Sequence, residues 1–283
     1  MKKFKLTSEF IVDISGVKLF RIKALIEFGN VKAGGLGGYI EKEENLSHMG
    51  NAWVSGNAQV SGDARVSGNA RVSGDAQVFG DARVSGNAQV SGNARVFGDA
   101  RVSGDARVSG NARVSGDARV FGNAQVSGDA RVFGNAQVSG DARVFGNAWV
   151  SGNARVSGNA QVSGDARVFG NARVSGDARV SGNARVSGDA RVFGNARVFG
   201  NAQVFGDARV SGDKDYAYAH GFGSCNRTTT FFRLKDGDVG VRCGCFYGTL
   251  AQFRDNVCET HGETKKAQEY LMLADLMDFR FKN

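Results

Sequence analysis

Residues 122–152 read GNAQVSGDARVFGNAQVSGDARVFGNAWVSG, which is the six-residue unit Gly-[Asn/Asp]-Ala-[Arg/Gln/Trp]-Val-[Ser/Phe] repeated five times. The same unit runs without insertion or deletion from Gly50 to Ser211, as 27 consecutive hexads. Self-similarity at a fixed short period is the signature of a repeat architecture. More than half of the 283-residue chain is therefore predicted to be one periodic structure.

The order of residues within a hexad predicts short strands joined by corners. In an extended segment, Ala and Val are two residues apart and share one face, while Arg or Gln and Ser or Phe share the other. The Gly-Asn or Gly-Asp pair favours a turn, because these residues tolerate positive φ. Each hexad is thus predicted to form a four-residue strand and a two-residue corner, with Ala and Val inside.

A strand that buries one Ala and one Val cannot be stable alone, so the hexads are predicted to stack in register. Periodicity alone gives a stacked solenoid; if three hexads close one coil, 27 hexads give about nine coils. Asn and Asp at stacked corners would form hydrogen bonds along the stack. One inserted residue would turn a buried face outward, which explains the strictness of the repeat.

A coil of three hexads sorts the outward side chains onto three faces. Face one is defined by the phenylalanines that end its hexads, which are Phe79, Phe97, Phe133, Phe169 and Phe205. Because monomers seldom expose such an apolar stripe, these residues are candidates for self-association and the protein is predicted to be a homo-oligomer. The alternative is that the rings lie flat against neighbouring Arg stems and were copied by sequence duplication.

Face two carries a column of arginines that Gln137 interrupts once; face three is mixed. The arginines are Arg65, Arg83, Arg101, Arg119, Arg155, Arg173, Arg191 and Arg209. This column is a candidate anion-binding surface, for nucleic acid or another polyanion. Six of the nine corner residues that stand two positions earlier are Asp. Arg beside Asp makes a self-neutralising solvated face, so the pattern disfavours nucleic acid as a partner.

Both ends of the repeat are predicted to be capped, since a solenoid exposes strand edges there. Residues 1–49 are predicted to form an N-terminal β cap, in which FIVDIS and VKLFRIKAL make a hairpin around Gly16. Residues 50–212 form the repeat. Residues 213–283 are predicted to form a small ββαα unit, with TTTFFRL and VGVRCGCF as a hairpin around KDGD.

Two helices are predicted in that C-terminal unit. Thr249-x-x-Gln252 resembles a capping box that opens the first helix, which ends at His261-Gly262. The second runs from about Thr264 to Phe279, and its apolar residues are Leu271, Ala274, Leu276 and Phe279.

All four cysteines, Cys225, Cys243, Cys245 and Cys258, lie in this C-terminal unit, and reduced thiols are expected. Cys243-x-Cys245 on a strand with Cys258-x-x-His261 on a helix could supply four ligands for tetrahedral zinc. The pairs are not the usual Cys-x-x-Cys, so small buried thiols and a helix-terminal His are favoured over a metal site. No cofactor is predicted.

The start of the chain, MKKFKLTSEFIVDIS, lacks the apolar core of a signal peptide, and no apolar run approaches the roughly 20 residues of a membrane span. A cytoplasmic location without membrane contact is therefore expected. The net charge of +8 permits anionic partners.

The hexads resemble the hexapeptide-repeat family of left-handed parallel β-helices, in which a small residue follows an aliphatic one four positions later. This resemblance implies an all-β solenoid, a left-handed parallel β-helix with a triangular section. Many members are acyltransferases with a catalytic His near the coils, and others bind zinc through three His. Residues 51–211 contain no His, Cys, Lys, Glu or Tyr, and His48, His220 and His261 lie in the flanks.

At the level of the whole chain, the resemblance is more specific. Three parts of the chain are similar to a bacterial and prophage family. They are the N-terminal stretch VKLFRIKALIEFGNVKAGGLGGYIEKEENLSHMGNAWVSG, the Gly-Asn-Ala-Arg-Val-Ser-Gly array, and the tail with VRCGCFYGTLAQF and KKAQEYLMLADL. That family includes proteins labelled acetyltransferases of the YdcK type. The resemblance brings no established activity, since the label follows from the fold.

These observations predict a non-enzymatic structural or binding scaffold that self-associates and is encoded by a phage or prophage. One alternative is an acyl-CoA-dependent acyltransferase of the hexapeptide-repeat type. Another is a phage protein that acts in the host cytoplasm, where it would sequester a host protein, through the C-terminal unit, or an anionic nucleotide.

Overall fold

The computed structural model describes residues 1–223 and 227–282. The chain divides into two compact units, residues 1–153 and 154–283, so that the division falls inside the repeat. Both units contain β-solenoid coils made of short parallel strands, as the sequence predicts. The predicted β structure at the N-terminus is present, and the C-terminal segment forms a small antiparallel sheet with two helices.

The first unit begins with the predicted hairpin. Strand β1 (Phe4–Val12) pairs antiparallel with β2 (Lys18–Ala24). The carboxylate of Asp13 fixes the turn between them, because it accepts hydrogen bonds from the backbone N–H groups of Ser15 and Val17, both at 2.9 Å. Strand β3 (Leu36–Ile40) adds to β2, and a 3-10 turn follows at Glu43–Asn45.

The coil strands of the first unit, β4 to β20, occur once in each hexad and are two residues long. In chain order they are Trp53–Val54, Gln59–Val60, Arg65–Val66, Arg71–Val72, Gln77–Val78, Arg83–Val84, Gln89–Val90, Arg95–Val96, Arg101–Val102, Arg107–Val108, Arg113–Val114, Arg119–Val120, Gln125–Val126, Arg131–Val132, Gln137–Val138, Arg143–Val144 and Trp149–Val150. Every third strand is a neighbour in the same parallel sheet, so three hexads make one coil.

The backbone of each coil bonds to the next coil in strict register. The N–H of Arg83 donates to the carbonyl of Ala100, and the N–H of Ser85 donates to that of Val102, both at 2.9 Å. The strands are shorter than the predicted four residues because the corner takes up their ends. The N–H of Ala88 donates back to the carbonyl of Ser85 at 3.3 Å, which closes a turn over Gly86 and Asn87.

The interior consists of the Ala and Val columns, as the hexad pattern predicts. From Ala52 to Ala208 and from Val54 to Val210, every repeat Ala and Val is at most 1% exposed. The corner glycines lie outside this core and have positive φ, for example +68° at Gly104. A Cβ there would lie 3.0 Å from the backbone N and O of Gly122, so the close stacking of corners also requires glycine.

The N-terminal edge of the first coil is closed by hydrogen-bond donors. Each coil donates to the following one, so the carbonyls of the first coil have no preceding coil to accept from. The carbonyls of Ala52, Ala58 and Ala64 accept instead from Lys3 Nζ at 2.8 Å, the backbone N–H of Tyr39 at 2.9 Å and Asn45 Nδ2 at 2.9 Å. Trp53 packs edge-on against Phe28 at the same end, with ring centroids 5.3 Å apart.

The second unit contains the coil strands β21 to β30 and then a separate sheet. The coil strands are Arg155–Val156, Gln161–Val162, Arg167–Val168, Arg173–Val174, Arg179–Val180, Arg185–Val186, Arg191–Val192, Arg197–Val198, Gln203–Val204 and Arg209–Val210. A 3-10 turn at Asp213–Asp215 leads into an antiparallel sheet of four strands, β31 (Tyr216–Phe222), β32 (Arg227–Arg233), β33 (Val239–Cys243) and β34 (Phe246–Thr249). The prediction of two strands here missed β31 and β34.

Helices α1 (Leu250–His261) and α2 (Lys265–Lys282) pack on this sheet. The predicted capping box is present, since the N–H of Gln252 donates to Thr249 Oγ1 at 3.3 Å and the N–H of Thr249 donates to Gln252 Oε1 at 2.9 Å. The α2 residues in the core are Ala267, Tyr270, Ala274, Met277 and Phe281. Of the four apolar α2 residues named from the sequence, only Ala274 is fully buried, while Leu276 and Phe279 are exposed.

The C-terminal edge of the last coil is closed by hydrogen-bond acceptors. The N–H groups of Arg197, Gln203 and Ser211 donate to Asp213 Oδ1 at 2.9 Å, Thr230 Oγ1 at 2.9 Å and Asp215 Oδ2 at 2.8 Å. Burial alone would raise the pKa of Asp215. The hydrogen bonds from the side chain and backbone of Ser211 and from the backbone of Gly212 outweigh burial and hold this pKa below its usual value.

We expect the N-terminal cap to depend on Lys3, which is buried and holds the carbonyls of Gly50 and Ala52. Lys3→Met keeps an apolar stem but leaves both carbonyls without these donors, which should lower the free energy of unfolding by about 1–3 kcal/mol. Urea unfolding of both proteins at pH 7 measures the loss. An unchanged midpoint would contradict this role.

The same variant tests the pH dependence of the cap. Burial lowers the pKa of Lys3 from 10.5 to about 8, so between these values the unfolded chain binds the proton more strongly than the folded one. The stability of the wild type relative to Lys3→Met should therefore increase from pH 8 to pH 10.5. The neutral amine keeps two N–H donors, so both hydrogen bonds persist. Equal stability differences at pH 7.5 and pH 10 would contradict the shift.

Candidate functional site

None of the three histidines belongs to a coil, and each has a local partner. His48 stacks on Phe4 with ring centroids 4.4 Å apart, and its Nδ1 accepts a hydrogen bond from the backbone N–H of Lys3 at 3.2 Å. His220 Nδ1 lies 2.9 Å from Thr228 Oγ1. His261 stacks on Tyr270, with ring centroids 5.8 Å apart. The hexads supply Ser hydroxyls but no His, Lys or Glu, and the last of these hydroxyls, that of Ser211, donates to Asp215 Oδ2.

The face-one aromatic residues of the first unit contact one another. Phe79 and Phe97 lie in adjacent coils and stack with ring centroids 4.9 Å apart and an interplanar angle of 2°. Phe133 packs edge-on against Trp149 at 6.2 Å. The guanidinium of Arg131 lies over the same indole, 5.1 Å from its centre. Face one of the first unit is therefore an ordered aromatic surface, partly covered by its own side chains.

In the second unit the two face-one phenylalanines have different surroundings. Phe169 is 37% exposed. Phe205 packs edge-on against Tyr247 of β34, with ring centroids 5.0 Å apart, and the guanidinium of Arg242 lies 4.9 Å from its ring centre. The C-terminal sheet thus covers Phe205 within the chain, which the hexad pattern could not indicate. In the first unit, Phe121 on face two and Phe145 on face three are 39% and 38% exposed.

The face-two arginines point to solvent in all but the last coil. Of the eight, only Arg209 is half-buried, and its Nη1 is a buried atom without a hydrogen-bond partner among the described residues. In residues 1–223 and 227–282, none of the eight has a carboxylate oxygen within 4.0 Å. The sequence nevertheless offsets part of their charge, because six of the eight have Asp two positions earlier, whereas Arg155 and Arg173 have Asn there.

The corner residues form the predicted hydrogen-bonded columns. In the first unit, the Asn one coil earlier donates its Nδ2 to Asp75, Asp105, Asp129 and Asp141 at 2.9–3.1 Å. A third column instead stacks Asp63, Asp81, Asp99 and Asp117, and there Lys42 pairs with Asp63 and lowers the pKa of that carboxyl. In the first unit, Asp is therefore stacked on Asn in two columns, and in the third it stands two positions before a face-two arginine.

The cysteine and histidine residues named as weak zinc candidates are only partly brought together. Cys243, Cys245 and His261 line one pocket of about 200 Å³, whereas Cys258 does not line it and is exposed on α1. Among the described residues, no group of three or more His, Cys, Asp or Glu side chains could hold a metal ion. Cys225 lies outside the described residues.

The fold and the register of the coils define a β-solenoid repeat protein. The coils match the family model described as YdcK Beta solenoid repeat in overlapping segments that together cover residues 58–204, just over half of the chain. The chain therefore belongs to the YdcK β-solenoid repeat family. A comparison with curated proteins gives no match.

Among the described residues, no helix is both long enough and apolar enough to cross a membrane.

We expect the order of Asn and Asp along a corner column to affect the free energy of unfolding. Asn87→Asp replaces the 2.9 Å Asn87–Asp105 hydrogen bond with two carboxylates one coil apart, which should cost about 0.2–1 kcal/mol at low salt. Asn69→Asp is the matched control, because it reproduces the Asp–Asn–Asp order already present at residues 105, 123 and 141. Thermal unfolding in low salt and in 1 M NaCl measures both. Salt should reduce the effect of Asn87→Asp, and equal effects of the two substitutions would contradict the argument.

Proposed function

We propose that this protein is a non-enzymatic scaffold whose coils present fixed arrays of side chains, and whose face-one aromatic surface binds a second copy of the chain. The main support for the proposal is the stacked pair Phe79 and Phe97 in the first unit. Phe79 lines a groove of about 640 Å³, and the tip of the β1–β2 hairpin, with Val12 and Ile14, forms its other wall. Val12 and Ile14 are 55% and 107% exposed.

The chemistry of this groove suits a copy of itself. Burial of its apolar side chains would stabilise the complex by about 25 cal/mol for each Å² of apolar surface removed from water. Arg95, Asp13 and Glu41 line the same groove, so it carries charges of both signs. In a two-fold interface each patch meets its own copy, so the cation of one chain can face an anion of the other around an apolar centre.

The proposal that the chain is not an enzyme rests on the coils. In each unit one coil strand follows another at every hexad, with no inserted loop that could build a substrate pocket. Acyl transfer of the hexapeptide-repeat type would require a general base near the coils, and residues 51–211 contain no His, Lys or Glu. His220 lies beside coil residues, but it belongs to β31, and its Nδ1 is 2.9 Å from Thr228 Oγ1. The described cysteines, Cys243, Cys245 and Cys258, are free thiols, which supports the proposal of a reducing, cytoplasmic location.

The self-association proposal predicts that the wild-type protein is a dimer or larger and that Phe79→Ser with Phe97→Ser weakens association at least about tenfold, or about 1.4 kcal/mol. Light scattering across a concentration series measures this. The matched control is Phe121→Ser with Phe145→Ser, which removes two phenylalanines from the other faces of the same unit.

Ile14→Asp adds a third variant, because Ile14 is fully exposed and its loss should not affect folding. It should weaken association as well, since the hairpin tip forms one wall of the groove. A monomeric wild type would overturn the proposal. Equal loss in the control variant would move the interface away from face one.

The scaffold proposal also predicts that acetyl-coenzyme A does not bind. Titration calorimetry up to about 1 mM, the upper end of usual substrate affinities, should give no saturable heat. Saturable binding, or acetyl transfer to any amine acceptor, would support the acyltransferase alternative instead.

A further inference from the structure

A second candidate site lies in the second unit, where the last coils meet the C-terminal sheet. A cleft of about 360 Å³ opens between face-one strands β26 and β29 on one side and the end of β31 with the start of β32 on the other. Its lining side chains include Arg185, Gln203, His220, Arg227 and Thr228. The cleft is distinct from the aromatic groove of the first unit, and it adjoins the pocket beside Cys243, which Arg227 also lines.

The side chains that line this cleft share the ability to donate hydrogen bonds. Two guanidinium groups, one imidazole, one hydroxyl and the amides of Gln203, Asn201 and Asn183 can all donate hydrogen bonds. None of the described lining residues is a carboxylate. A cleft with two fixed positive charges and only donors and neutral groups around them favours a small anion.

The two arginines are exposed and come from different elements, whose backbones are joined by hydrogen bonds. Arg185 pairs in register with Gln203, and the N–H of Gln203 donates to Thr230 Oγ1 at 2.9 Å, which ties the coil to β32. Arg227 begins β32, and its Nη1 occupies the space that a Cβ at residue 244 would fill. Gly244 has a φ of +58°, which favours glycine, and the guanidinium of Arg227 packs against its backbone.

The positive charge of the cleft is not neutralised by the described residues. In residues 1–223 and 227–282, neither Arg185 nor Arg227 has a carboxylate oxygen within 4.0 Å, whereas Arg254 pairs with Asp275. Most repeat arginines have Asp two positions earlier, but Arg185 has Asn183. Asn183 donates to Asn201 Oδ1 at 3.3 Å, so the amide NH₂ of Asn201 at the end of this column remains a donor group.

We propose that this cleft binds a small phosphate-bearing molecule, with Arg185 and Arg227 as the charged contacts on its phosphate. The planar fork of a guanidinium matches phosphate oxygens better than an ammonium does. His220 and Thr228 are hydrogen-bonded to each other, with Nδ1 and Oγ1 2.9 Å apart, so one donor of this pair is used within it. The other donor of the pair and the amides of Asn201 and Gln203 supply further contacts. The volume admits a phosphate with a small organic group attached.

Titration calorimetry with inorganic pyrophosphate tests the site. We expect one saturable site in the wild type. Arg185→Gln with Arg227→Gln should weaken binding about 100-fold or more, because each charge-assisted contact contributes about tenfold or more. The matched control is Arg173→Gln with Arg197→Gln, which removes two exposed coil arginines of the same unit that also follow Asn.

Each outcome decides the proposal. Saturable binding that is lost in the cleft variant and retained in the control supports it. No saturation by about 10 mM, where binding energy falls below about 3 kcal/mol, overturns it. Equal losses in both variants also overturn it, since binding would then follow total surface charge. Tighter binding of a single-stranded oligonucleotide, with equal loss in both variants, would assign the anion to the arginine columns instead.

Discussion

The hydrogen bonds between successive coils are the constraint on which the other features of this protein depend. In each unit the N–H of a strand residue donates to an Ala carbonyl of the next coil, so the backbone geometry must repeat with every coil. This register keeps Val above Val and Ala above Ala inside the coils. It also brings the corners so close together that glycine is required there. The invariant positions of the hexad are those that this register constrains.

The direction of these bonds also determines the chemistry of the two ends. The first coil presents carbonyls, and Lys3, Tyr39 and Asn45 supply donors to them. The last coil presents N–H groups, and the carboxylates of Asp213 and Asp215 accept from two of them. Parallel strands have this polarity, so the donor and acceptor caps cannot be exchanged. Both closed edges also protect the sheets from pairing with other chains.

The outward side chains take no part in the packed interior or in the backbone hydrogen bonds between coils, and these positions vary in sequence. Their chemistry becomes specific where another element covers or faces them. The hairpin tip turns the Phe79 surface into a groove, and the C-terminal sheet covers Phe205 with Tyr247. The same sheet faces Arg185 across a cleft, and the repeat pattern does not distinguish this side chain from the other coil arginines. The function proposed for each surface therefore depends on the flanks as much as on the coils.

Local periodicity and turn chemistry were enough to predict the solenoid, the buried Ala and Val columns, the corner hydrogen bonds, the N-terminal hairpin and the capping box at Thr249. They did not indicate strands β31 and β34, the buried side of α2, or the amine of Lys3 as a cap. Which outward residues are covered, and which line a cleft, was settled by tertiary contacts alone. Those contacts join segments that are far apart in the chain, and a local sequence pattern does not indicate which distant segment a residue will contact.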